Sequence, residues 1–89
     1  PAAAPLFAAD PQNLACVATF WVEEGALLAE QHCEGVTSKE IFATGVAKLV
    51  HVEWDYNPTT WNPVLSVWYT DAQGKDVVLE VNTEQKFGR

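Results

Sequence analysis

Thr37-Ser38-Lys39-Glu40-Ile41-Phe42-Ala43-Thr44-Gly45-Val46-Ala47-Lys48-Leu49 is the stretch on which the fold class turns. Its first four residues have the form of a capping box, in which the Thr37 hydroxyl accepts from the Glu40 amide and the Glu40 side chain reaches back. Phe42, Val46 and Leu49 follow at i, i+4 and i+7, the spacing of one apolar helix face. The spacing predicts one short amphipathic helix over residues 38–48. Gly45 weakens it by about 1 kcal/mol relative to alanine but lets it lie close to a sheet.

Upstream of this stretch, Cys16 and Cys33 are equidistant from the dipeptide Glu24-Gly25. A two-residue hairpin turn at that dipeptide places the cysteines opposite each other on an antiparallel pair, where a disulfide is geometrically possible. The same register pairs Val22 with Leu27, Trp21 with Leu28 and Phe20 with Ala29. A helix is the competing reading, since Asp10-Pro11 could cap one and Leu14, Val17, Trp21 and Leu28 fall at helical spacing. A single helix would hold the two cysteines about 25 Å apart, too far for a bridge, and the hairpin is preferred for that reason. Residues 1–12 are rich in Ala and Pro and read as a flexible leader, with Leu6 and Phe7 able to dock on the body.

Downstream, Val50, Val52, Trp54 and Tyr56 alternate with His51, Glu53 and Asp55, the pattern of a half-buried strand. Asn57-Pro58-Thr59-Thr60 breaks it. Two further strands are expected over residues 63–70 and 76–81, around the loop 71–75. The expected order is ββαβββ: an α+β domain over residues 13–89, with one helix packed on an antiparallel sheet.

With 89 residues and 48% hydrophobic content, the chain makes one small domain able to fill its own core. It opens on Pro1 and contains no Met, which suggests a processed form whose signal peptide has been removed. A disulfide points the same way, to a secreted protein in an oxidising compartment. No apolar run approaches the roughly 18 residues that a membrane helix requires. The net charge of −7 arises from twelve acidic and five scattered basic residues. That field repels nucleic acid and anionic lipid, so neither a high-affinity nucleic-acid partner nor a membrane is expected.

Three short motifs carry a family resemblance. They are His32-Cys33-Glu34-Gly35 followed by the helix expected over 38–48, Trp61-Asn62-Pro63-Val64-Leu65, and Lys75-Asp76-Val77-Val78-Leu79 with Gln85-Lys86-Phe87-Gly88 after it. Over about residues 31–88 they resemble the small secreted fungal ribonucleases, and most of all their non-catalytic offshoot, the ribonuclease-like effectors of plant-pathogenic fungi. The resemblance implies a secreted virulence effector on a ribonuclease-like scaffold that binds a host protein. It also implies an inactive copy. The family's general-base Glu position falls at Thr60 and its phosphate-binding Arg at Asp76, and its general-acid His has no counterpart before Arg89.

Read from the residues themselves, His51 and Glu53 lie two apart on one strand face and form the best local acid–base set, although alternating exposed charges are the ordinary solvent side of a strand. Trp61, among Thr60, Asn62 and two prolines in a connection, is the aromatic most suited to a ligand or partner contact. Trp21 near the first hairpin tip is the second, whereas Trp54 and Trp68 read as core. No cysteine or histidine spacing suits a metal, and no cofactor motif occurs. The expectation is a non-catalytic binding protein that uses Trp61, Trp21, His51 and Glu53. A carbohydrate-binding or inhibitory module and a weakly active ribonuclease are the alternatives. The protein would be a monomer, or a dimer paired through an exposed strand over residues 14–23.

Overall fold

Residues 38–48 form no helix. In the computed structural model, which describes residues 4–82, this stretch is divided between two strands that meet at Thr44 and Gly45. The described residues form seven strands: β1 (Leu6–Asp10), β2 (Asn13–Glu23), β3 (Ala26–Cys33), β4 (Val36–Ala43), β5 (Val46–Tyr56), β6 (Pro63–Asp71) and β7 (Asp76–Asn82). Every pairing is antiparallel. The first sheet has the order β1-β2-β3-β4 and the second β5-β6-β7. The α+β class and the ββαβββ order are corrected to an all-β, two-sheet domain. The helix that the ribonuclease-like resemblance required is absent from the described residues.

The helical spacing has a specific origin in bulges. Leu28 pairs with Ile41 but Leu27 with Ala43, so Phe42 is an extra residue in β4. It turns inward, is buried, and meets the ring of Phe20 edge-on at 5.5 Å. Beyond the Thr44-Gly45 corner, the register of β5 against β6 slips twice, between Val46 and Lys48 and between Leu49 and His51. Each slip adds one residue. Val46, Leu49 and Val52 therefore pack on the core, while Ala47, Lys48, Val50 and His51 stay exposed. A strand bulged at this rate shows an apolar period near three, which imitates the 3.6 of a helix. The second bulge also accounts for Val50, which is 53% exposed although the alternation starting there would bury it.

Composition favours strands here, since Val36, Thr37, Ile41, Thr44, Val46, Val50 and Val52 are all β-branched. Gly45 adopts φ +65, a left-handed conformation that glycine takes at least cost. Its carbonyl accepts from the Ala72 amide, and the Val46 amide donates to the Gly25 carbonyl, both at 2.9 Å. The corner is thereby tied to both sheets. Thr37 caps nothing, and its hydroxyl lies 3.1 Å from Nδ1 of His32 on the neighbouring strand.

The first hairpin has the register read from the sequence, with Val22 opposite Leu27, Trp21 opposite Leu28, Phe20 opposite Ala29 and Cys16 opposite Cys33. The two cysteines are joined in a disulfide. Glu24 (φ 51) and Gly25 (φ 77) supply the two positive φ angles of a twist-matched two-residue turn. Glu34 (φ 53) and Gly35 (φ 84) repeat it between β3 and β4. Of the stretch read as leader, Leu6–Asp10 forms β1 and pairs with β2. The turn between them is closed by the Asp10 carboxylate, which accepts from the Gln12 amide at 2.8 Å. Strand β2 therefore lies between β1 and β3, and residues 14–23 are not a free edge.

The inner faces of both sheets contribute to one continuous core, in which Phe20, Leu27, Leu65, Val67 and Cys16 are fully buried. Gln31 is the misfit. It is 1% exposed, stands between Ala18 and Ser38, and neither its amide oxygen nor its amide nitrogen has a hydrogen-bond partner. A buried, unsatisfied amide costs about 1–3 kcal/mol. Gln31→Leu, which nearly conserves volume, is expected to stabilise the fold by about 1–2 kcal/mol. A urea titration should show a higher midpoint at unchanged slope; a lower midpoint would mean that the amide is satisfied.

Candidate functional site

The strand pairing in the second sheet builds one continuous outer face. His51 lies opposite Trp68, and Trp68 opposite Val78; Glu53 lies opposite Ser66, and Ser66 opposite Glu80; Asp55 lies opposite Val64. Directly opposed residues point to the same side of a sheet, so these three rows share the face turned away from the core. Glu53, Asp55, Tyr56, Ser66, Trp68 and Glu80 line a shallow cleft of about 340 Å³ there, with Asn57 and Pro58 at its rim.

The sequence pattern placed His51 and Glu53 together, and the structure does so. Nε2 of His51 is 3.7 Å from Oε1 of Glu53, with both side chains more than half exposed. The imidazole also lies against Trp68, with ring centroids 5.0 Å apart. This pair is open to water, which screens charges and competes for their hydrogen bonds.

Trp61 reaches the same site by another route. The β5–β6 connection is organised by Asn57, whose side-chain oxygen accepts from the amides of Thr59 at 2.8 Å and Thr60 at 3.2 Å. The Asn57 carbonyl accepts from the Trp61 amide at 2.7 Å, and the Asn57 amide donates to the Asn62 carbonyl at 2.9 Å. Trp61 is thereby held at φ +61, an uncommon conformation for a bulky side chain, and remains 60% exposed. Its ring stacks on Tyr56, with centroids 5.0 Å apart and planes 25° from parallel. Tyr56 is shared with the cleft, so Trp61 extends the aromatic surface beyond it.

Trp21 belongs elsewhere. It lies in the other sheet, half-buried, with the Lys39 ammonium 5.6 Å from its ring centroid. It borders a separate cleft of about 420 Å³ between β1–β2 and the bulged part of β5, lined mainly by Leu6, Val22, Leu49 and Val50. Of the four residues expected to form a site, His51 and Glu53 meet, Trp61 joins their face through Tyr56, and Trp21 stands apart.

Trp54 is buried, as its pattern implied, but Trp68 is a correction to the core reading. Leu65 and Val67 fill the core, so Trp68 must point outward beside Ser66. The legible signal was Ser66, a polar residue two positions before Trp68 and hence on the same side of the strand. Tyr56 and Glu80 gave no local signal, because their place depends on which strands pair.

Among the described residues, no group of three or more His, Cys, Asp or Glu is arranged to hold a metal ion. No Lys or Arg is ion-paired with a carboxylate among them; the two pairs present are His32–Glu30 and His51–Glu53. Glu53, Asp55 and Glu80 thus face the cleft without a fixed cation beside them. No family model, curated protein or solved structure matches this chain.

Proposed function

We propose that this chain is a non-catalytic, extracellular binding domain that holds a basic segment of a protein partner on the outer face of β5, β6 and β7. The observation that carries this reading is Trp61, kept 60% exposed on a hydrogen-bonded loop and stacked on Tyr56 at the rim of an acidic cleft. Exposed aromatic anchors beside charged rims are the usual energetic centres of protein interfaces. Carboxylates accept hydrogen bonds and donate none, so Glu53, Asp55 and Glu80 select Lys and Arg side chains. The net charge of −7 steers a basic partner toward the protein. The same carboxylates oppose RNA, and among the described residues the basic side chains in the outer rows are His51 and, opposite Thr70, Lys48. The disulfide is compatible with an extracellular setting.

The test is a titration with a Lys/Arg-rich peptide, followed by tryptophan fluorescence at low and physiological salt. Trp61→Ala is expected to weaken binding about 30-fold, as loss of a hot-spot aromatic does, with the thermal midpoint nearly unchanged. Glu53→Gln should weaken it less and reduce its salt dependence. Equal binding by wild type and Trp61→Ala would remove this face from the interface. A second reading, a sugar ring stacked on the free face of Trp61 with the carboxylates accepting from its hydroxyls, rests on the same exposed indole. A glycan array separates the two, because sugar binding would survive added salt.

A further inference from the structure

We infer that the cleft on β5, β6 and β7 is an arginine site, in which a guanidinium lies against Trp68 and is shared by Glu53 and Glu80; this rests on the basic-partner reading above. The strand register gives the cleft of about 340 Å³ the form of a trough. Ser66 and Val64, both short side chains on the central strand β6, make its floor. Glu53 stands opposite Ser66 on β5 and Glu80 opposite it on β7, so the two carboxylates rise on the two sides. Trp68 lies two residues beyond Ser66 on the same side of β6 and borders one end of the trough. Tyr56 borders the other and leads to Trp61.

This arrangement suits a guanidinium better than an ammonium. Two strand spacings hold the Glu53 and Glu80 backbones about 10 Å apart, so a cation between them has to donate to both sides at once. A guanidinium carries five N–H donors in one plane and can serve two carboxylates together. An ammonium has three donors around a compact, strongly hydrated charge. Trp68 adds a second preference. Its half-buried indole is braced by the His51 ring, with centroids 5.0 Å apart. Arginine stacks on such a ring while its in-plane donors stay free for the carboxylates. The short floor then leaves room for the arginine methylenes to lie along Val64 and Ser66.

Two peptides, identical except that three arginines in one replace three lysines in the other, test the site. Each is titrated calorimetrically into the oxidised full chain at physiological salt. The arginine peptide is expected to bind about tenfold more tightly. Trp68→Leu should shrink that preference to about twofold and leave the lysine peptide nearly unaffected. Glu80 is exposed, so Glu80→Gln leaves the core intact. It should weaken the arginine peptide about fivefold and the lysine peptide less. Equal affinity of the wild type for both peptides overturns the arginine site while the basic-partner reading stands. Binding of neither peptide overturns both. A preference that survives undiminished in Glu80→Gln and in folded Trp68→Leu also overturns the site, because the discrimination would then lie outside the trough.

Discussion

Phe20→Ala is expected to lower the unfolding free energy by about 4 kcal/mol. Phe20 is fully buried in β2, pairs with Leu6 on one side and Ala29 on the other, and receives Phe42 edge-on. Removing the ring takes away its transfer free energy and leaves a cavity. The buried residues nearby on the same face, Ala8, Ala18 and Ala29, are too small to fill it. Two bonded sheets, tied at the Gly45 corner, resist collapse into the space. For a domain of this size the melting temperature should fall by roughly 20 °C. Thermal and urea unfolding, followed by far-ultraviolet circular dichroism, measure it. A loss below about 1 kcal/mol, the range of surface substitutions, would show that the Phe20–Phe42 contact is not the centre of the core.

Replacing both cysteines by alanine should cost about 3 kcal/mol, as expected for a loop closed over a sequence separation of 17. The bridge restricts the unfolded chain and joins β2 to β3 at the hairpin's open end, far along the strands from Glu24-Gly25. Cys16 and Cys33 are both buried, so alanine also removes some packing. Mild reductant should lower the melting temperature of the wild type by a similar amount and leave the double variant unaffected. A wild type insensitive to reductant after thiol labelling has confirmed full reduction would assign the stability to packing alone. Both substitutions alter the first sheet only. A folded variant should therefore keep the binding face of β5, β6 and β7, which makes residual peptide binding a direct check that the site belongs to the second sheet.

The first hairpin was fully legible because its information is local. A Glu-Gly turn, a two-residue side-chain period and two equidistant cysteines all demand one register. The same dipeptide recurs at Glu34-Gly35 and makes the same turn, a signal that the helix reading of the following residues obscured. At the site, the sharing of one face by His51 and Glu53 follows from the period of a strand. Trp61 was legible as an exposed connector, bounded as it is by prolines. The outward turn of Trp68, the approach of Tyr56 to Trp61 and the arrival of Glu80 were not, since each depends on how β5, β6 and β7 pair. Trp21 was separated from the others for the same reason: sequence patterns mark an aromatic as half-exposed but do not say in which sheet it stands.

By itself, the sequence determined the β2–β3 register, its disulfide, the strand positions around residues 63–71 and 76–82, and an acidic surface with exposed aromatics. These rest on interactions between near neighbours or on composition, which the chain carries at every stage of folding. Only the tertiary structure decided that residues 38–48 are strand, corner and strand. A bulge is an offset between two partners, invisible until the second strand is in place. Phe42, Val46 and Leu49 keep the spacing of a helix face because one bulge, one corner and another bulge bring each of them back to the core.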